Sequence, residues 1–427
     1  MPSRLFSRPR GAPVRAVGAL LLFAVAALAA CTEDFDSSEA CPLLCPPQSV
    51  QLRDTLVEGV VFDTALSGFP GLGAANALYL GQSGDSLDTR VIIRFDQLPT
   101  RFISGGVDSA ITRVDTATLS LRLAFPLLAS ATPLEVEAYD VDTTATDTLP
   151  QTLLPLFRPD RLIGSTFLTP ASAPDSTFRM FLDTGFVRRV IADSARLRIG
   201  LRLREGTSGQ VYFLSVESGV DPILSLRVSP DTTVAPLTVA TLSTTPEGPS
   251  FPATQLRDYI VIARQTATAP PSALALGGLG GSRSMLRFDL PAHIVDSSTV
   301  VRATLDLTQF PYRGFGSGDT LSVFAHLTLG TQTVTDLRRM FTLLSAPAGD
   351  TLRIVAADSG QRSMELAGLI AAWRNAGTEG QVRAIILRVP TEGLLPAEVR
   401  FFSREAPEAL RPRLRLIYVP RTTIGQP

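Results

Sequence analysis

Apolar and polar positions alternate with period two along much of this chain. In Ala195–Arg204 the residues Leu197, Ile199, Leu201 and Leu203 alternate with Arg196, Arg198, Arg202 and Arg204 around a single Gly200. Leu119, Leu121 and Leu123 alternate with Ser120 and Arg122, and Arg413–Leu416 repeats the pattern near the far end. Period two predicts strands with Leu on one face and Arg on the other, the apolar face on a core and the Arg face in water. The runs lie between clusters of Gly, Pro, Asp and Ser, which is the punctuation of a sandwich or barrel. Two stretches break the pattern. Leu366, Leu369, Ile370 and Trp373 fall at i, i+3, i+4 and i+7, and Leu182, Phe186, Val187 and Val190 are similar. Each predicts a short helix packed on a sheet, with Trp373 in a core. The expected fold class is all-β, with two tandem jelly-roll-like β-sandwich domains, each carrying a short helix.

The tandem expectation comes from an internal repeat. Gln51–Asp54 recurs as Gln255–Asp258, Ala77–Gly81 in outline as Ala273–Gly277, and Arg94-Phe95-Asp96 as Arg287-Phe288-Asp289. Ala117-Thr118-Leu119 recurs as Ala303-Thr304-Leu305, and Val211–Glu217 as Val399–Glu405. The matches keep one order while their offset drifts, as loop-length differences would make it. The polar, Pro-flanked stretch Ser229–Pro236 supplies a cut. The expected organisation is module 1 over residues 49–229, a linker at 230–236, module 2 over 237–420 and a tail at 421–427.

What precedes the modules reads as an address. Arg4, Arg8, Arg10 and Arg15 form a basic stretch, Ala16–Ala27 is an apolar run too short to span a bilayer, and Leu28-Ala29-Ala30-Cys31 follows. That ending resembles the lipobox of bacterial lipoproteins, so residues 1–30 are expected to be a signal peptide and Cys31 the lipidated residue. Acyl chains on one Cys hold a folded protein at a membrane. By resemblance to the sorting rule of two-membraned bacteria, Thr32 after that Cys favours the outer membrane. Residues 31–48 are acidic and rich in Ser and Pro, the composition of a flexible tether. Cys41 and Cys45 inside it are read as a local disulfide staple in preference to a redox or metal pair.

The second copy resembles the DNRLRE modules of secreted bacterial proteins. The resemblance rests on Arg287–Pro291, the Ala303–Leu307 stretch, the helical stretch ending at Trp373, Phe402-Ser403-Arg404-Glu405, Arg411-Pro412 and Leu414–Tyr418. It covers about residues 250–420. The first copy carries Val216 where Arg404 stands and has no Trp matching Trp373. The resemblance implies β-sandwiches akin to carbohydrate-binding modules, some of which bind acidic polysaccharides.

Composition limits the chemistry. All 39 basic side chains are Arg, so a Schiff base, a phosphate-loop lysine and an isopeptide crosslink are excluded. A net charge of −1 argues against nucleic acid as a partner. His293 and His326 are the only imidazoles, and neither pairs with a Cys or carboxylate at ligand spacing. No acid, base and nucleophile assemble into named roles, so the chain is expected not to be an enzyme. Four candidate sites remain, the first being Trp373, which could stack on a sugar although its helical neighbours make it read as core. Asp140, Asp142 and Asp147 form an oxygen-rich loop that could hold a structural Ca²⁺, against a solvated loop as the plainer reading. Ser403-Arg404-Glu405 could grip an acidic ligand, although it reads more readily as framework. The loop Gln309–Asp319 offers Phe310, Tyr312, Arg313 and Phe315 for stacking and for meeting a carboxylate, unless its aromatics fold back on the core. The expected function is a non-catalytic, lipid-anchored envelope protein that binds polysaccharide. The alternative is a structural lipoprotein that docks an envelope protein and has no glycan ligand.

Overall fold

The computed structural model describes residues 52–57, 59–124, 133–145, 148–169, 177–244, 256–265, 269–330, 336–342, 347, 349–375 and 382–421. The expected signal peptide, Cys31, Cys41, Cys45 and Asp147 lie outside these residues. Leu52–Pro427 groups as one compact unit. Strand is its dominant element, arranged in antiparallel sheets with few helices. No helix among the described residues is long and apolar enough to cross a membrane.

The chain begins with β1 (Arg53–Val57) and β2 (Val60–Ser67). It continues through β3 (Ala77–Ser83), β4 (Leu87–Phe95), β5 (Arg101–Ser104), β6 (Val107–Ala110), β7 (Thr116–Arg122) and β8 (Leu134–Asp140). After the helical turn α1 (Pro150–Leu153) come β9 (Leu162–Leu168), β10 (Thr177–Phe181), α2 (Thr184–Ala192), β11 (Leu197–Leu203), β12 (Gly209–Leu214) and β13 (Ile223–Arg227). The order then returns. β14 (Leu237–Ala240) and β15 (Asp258–Gln265) are followed by β16 (Ala273–Gly277), β17 (Ser282–Phe288), α3 (Ala292–Val295), β18 (Ser298–Phe310) and β19 (Thr320–Gly330). α4 (Leu337–Thr342), β20 (Leu352–Val355), β21 (Gly360–Glu365), α5 (Ala367–Asn375), β22 (Val382–Arg388), β23 (Glu398–Phe402) and β24 (Arg413–Pro420) complete it.

The repeat is visible in the pairing. In the first half β12-β3-β4-β11-β8-β9 faces β10-β7-β13-β14. In the second half β23-β16-β17-β22-β19-β20 and β21-β18-β24-β1 follow the same order, joined into one eleven-stranded sheet because β18 also pairs β23. Each half encloses its own core. One core runs from Leu78 to Val239 in sequence; the other runs from Leu274 to Tyr418 but also takes in Val57 and Val60. α2 and α5 form at the predicted apolar spacings. Asp183 caps α2 by accepting the Phe186 N–H at 2.6 Å, and Trp373 on α5 is buried in the second core.

The first two strands of each copy are exchanged. β1 pairs β24 and β2 pairs β17, both in the second half. In return β14 pairs β13 and β15 pairs β4, both in the first half. The cut expected at 230–236 therefore does not part the strand pairing: residues from the expected module 1 (49–229) complete the second half, and residues from the expected module 2 (237–420) complete the first. Register also corrects one repeat match. Asp258 stands opposite Ile93, and Asp63 opposite Leu286, at the same step of the repeat; Asp54 lies elsewhere, on β1 opposite Ile417.

Exchange changes what happens to the Arg faces. The alternation predicts them in water, but β15 and the α1 segment cover the outer face of the first-half sheet, where Ile92, Tyr139, Val141, Leu153, Phe157, Tyr259 and Val261 make a second apolar layer. The arginines beneath are paired. Arg198 grips Asp96 through a fork of 2.9 and 2.8 Å, Arg202 donates to Glu137 at 2.9 Å, and Arg94 donates to the Tyr259 hydroxyl at 3.0 Å. In the second half Arg283 is bound to Glu392 and lies 3.8 Å from the centroid of Phe69, just past β2.

Candidate functional site

The four-stranded sheet β10-β7-β13-β14 keeps one face on the core and the other open. Phe178, Met180, Leu119, Leu121, Leu224 and Leu226 point inward and are buried. The alternate positions line up across the strands. One row is Arg179, Ser120, Ile223 and Ala240; the next is Phe181, Thr118, Ser225 and Thr238. Arg122 pairs opposite Thr177, and Arg227 opposite Thr116. The open face thus combines hydroxyls, the exposed Arg122 and Arg179, the half-buried Arg227, and the ring of Phe181, which is 69% exposed. None of these outward positions is acidic. Adjacent strands lie about 4.8 Å apart, so Thr118, Ser225 and Thr238 in the second row set three hydroxyls at that spacing.

The matching face of the second half is different. Arg302 donates to Glu365 at 2.9 Å, Arg415 is paired with Asp54, and Ser363 donates to Asp306 at 2.5 Å. Its charges are answered across its own strands, whereas the outward positions of the first-half face include no Asp or Glu.

The aromatic loop does not form a ligand platform. Tyr312 is 1% exposed, its hydroxyl donates to the Pro396 carbonyl at 3.0 Å, and Arg400 lies 5.0 Å from its ring centroid. Burial pushes its hydroxyl up to about 12. Phe310 packs on Phe402 with centroids 4.9 Å apart, and Phe315 packs against the cluster of Tyr79 and Tyr212. Arg313 alone of the four is exposed. Glycines after Tyr312, with Gly316 at positive φ, let the loop turn back, and the apolar ring then finds a carbonyl for its hydroxyl.

The aspartate loop is committed to guanidiniums. Arg161 binds the Asp140 carboxylate at 2.7 Å, and Asp142 lies 2.9 Å from Arg196 and 3.6 Å from Arg198. These pairs take the oxygens a Ca²⁺ would need. Among the described residues no group of three or more His, Cys, Asp or Glu could hold a metal. His326 is buried on β19, and His293 is exposed on α3. Arg404 does act as framework: its N–H donates to Asp63 at 2.8 Å, its guanidinium reaches the Val61 carbonyl, and Ser403 donates to Glu405 at 2.5 Å.

A cavity of about 270 Å³ lies where the exchanged chains cross, lined by apolar residues such as Phe69, Leu72, Leu78, Ile260 and Leu279. Asp258 is its one charged lining residue.

No family model and no curated protein matches this chain. Among solved structures it is similar to infectious bursal disease virus Gx strain at 10% identity and a TM-score of 0.14, over 88% of this chain and 77% of that one. The Gt strain of that virus gives 10% identity and a TM-score of 0.12, over 89% and 78%. At such TM-scores the likeness carries no argument about fold or function.

The open face was missed in sequence because Thr, Ser and Arg at alternate positions read only as the wet side of a strand. The usable signal is the contrast between copies: Thr116, Thr118 and Ser120 in one, Thr304 and Asp306 in the other.

Proposed function

We propose that this chain is a non-catalytic cell-envelope protein, lipid-anchored through Cys31 at the outer membrane, whose two β-sandwich modules present a polysaccharide-binding face. The observation that carries this reading is the open sheet face of Arg122, Arg179, Arg227, Thr118, Ser120 and Phe181, which bears cations and hydroxyls and no carboxylate. A phenyl ring with 69% exposure suits the apolar face of a sugar ring. A sheet face with guanidiniums and no acidic residue at its outward positions favours a chain carrying carboxylates or sulfates. The site lies in the first half, away from the loop that sequence had offered.

The test is affinity electrophoresis of residues 46–427 through gels containing neutral or acidic polysaccharides. Retardation by an acidic polymer, lost by at least about tenfold in Phe181→Ala/Arg179→Ala, supports the face. Retardation that survives the double variant discards the face, and none with any polymer discards glycan binding.

One observation favours docking to an envelope protein instead. The β5–β6 hairpin holds Ile103 71% and Val107 63% exposed around its Gly105-Gly106 turn. A pull-down from the native envelope that is lost in Ile103→Ser/Val107→Ser and kept in the Phe181 variant would select that reading.

A further inference from the structure

The two exchanged strands are fastened at the same point by the same residue type. Asp258 opens β15 and accepts the Val216 N–H at 3.0 Å; Asp63 on β2 accepts the Arg404 N–H at 2.8 Å. The donors lie in matching steps, Ser215-Val216-Glu217 and Ser403-Arg404-Glu405. In the second half a cation joins the acids: Arg404 Nε is 3.5 Å from Asp63 and 3.2 Å from Glu405. In the first half Val216 stands in its place. There the Val216 amide that Asp258 accepts sets Glu217, the next residue, beside it. Asp258 Oδ1 and Glu217 Oε2 are buried and have no hydrogen-bond partner among the described residues. Two neighbouring buried carboxyls that lack donors resist both being charged, and a proton on one lets it donate to the other.

We propose that the Asp258–Glu217 contact is a proton-held latch on β15, which weakens as pH rises, while its Arg404-bridged counterpart on β2 holds. The groups facing Asp258 are Glu217 and Asp221, with Arg257 and Ser215 facing Glu217. Burial first, then these carboxylates, push Asp258 up to about 8 against the pull of the Val216 amide. Burial also raises Glu217. Burial raises Asp63, but Arg404 opposes it. The sign follows. The closed state keeps a proton that the open state gives up in the ordinary carboxylate range. Stability from the latch is therefore full in acid, falls as pH climbs past that range, and is spent above about 8. β15 carries Tyr259, Ile260 and Ile262, which line the 270 Å³ cavity, so release of this strand removes one wall of it.

Hydrogen exchange on the full chain at about pH 6 and pH 9, corrected for intrinsic rates, tests this. Protection of the Tyr259–Ile262 amides is expected to fall by about tenfold or more, and that of Asp63–Leu66 by no more than about twofold. Asp258→Asn donates to ionised Glu217 without a shared proton, and should keep β15 protected at both pH values. Val216→Arg should do the same by copying Arg404. Equal responses of β15 and β2, or an undiminished response in Asp258→Asn, would overturn the latch.

Discussion

Replacing Arg198 by Met tests the buried-pair reasoning most directly. The Arg198 and Asp96 side chains are 2% and 0% exposed. Asp96 also accepts the N–H and hydroxyl of Thr244 at 2.8 and 2.9 Å. Losing the guanidinium strands a carboxylate inside the protein with those two donors still bound. Removing one partner of a buried pair costs about 3–5 kcal/mol, and the surviving Thr244 bonds put this case near the lower end, about 3 kcal/mol. Adding Asp96→Asn removes the stranded charge. The double variant should then recover to within about 1–2 kcal/mol of the starting protein.

Urea unfolding followed by far-ultraviolet circular dichroism gives midpoint and slope. Fluorescence of Trp373, which sits in the other core, reports separately whether the two cores unfold together. The acid side offers a second check. Burial would raise Asp96, but Arg198 and Thr244 outweigh it and hold its carboxyl below the usual range. Its contribution is present at neutral pH and lost as pH falls through that lowered value. A cost under about 1 kcal/mol for Arg198→Met, or a double variant no better than the single, would refute the reasoning.

Three further outcomes follow from the packing. Tyr312→Phe should cost about 1 kcal/mol through the lost bond to Pro396, and Tyr312→Ala about 3–5 kcal/mol, both read by urea unfolding and neither altering polysaccharide retardation. Gly281→Ala should cost more than about 2 kcal/mol, because its Cβ would lie 1.6 Å from the Phe69 carbonyl at a φ of +59°. Deleting residues 52–67 should red-shift Trp373 emission and promote aggregation, since it bares β24 and β17 and removes Val57 and Val60 from the second core.

The sequence made local structure legible and left partnership hidden. Period two located β7, β11 and β24, and period 3.6 located α2 and α5, because a face that must be buried writes its spacing into the chain. The repeat order was legible for the same reason. The exchange was not, since a strand's alternation is the same whichever sheet it joins. One trace was available: Asp63 stands as far before Ala77, to within a residue, as Asp258 does before Ala273, whereas the Gln-Leu-Arg-Asp match is out of step. Tyr312 misled because aromatic and Gly content describes an exposed loop and an infolded one equally well. The open sheet face needed register, which alone puts Arg179, Ser120 and Ile223 in one row.

The covered Arg faces show what exchange demands chemically. Strands that alternate Leu with Arg are made for water on one side, and covering that side desolvates the guanidiniums beneath the cover. The structure meets this in two ways at once. Carboxylates take the fork of N–H donors, as Asp96 does for Arg198 and Glu392 for Arg283. Rings take the flat face: Tyr259 lies 4.9 Å from Arg94, Phe157 4.5 Å from Arg90 and Phe69 3.8 Å from Arg283. Only a planar cation with edge donors can be bonded at its rim and stacked on its face together; an ammonium offers neither plane nor fork. Two of those rings, Tyr259 and Phe69, arrive with the exchanged segments themselves. Each copy therefore supplies the aromatic cover for the other's buried arginine, and the exchange is coupled to charge burial as well as to strand pairing.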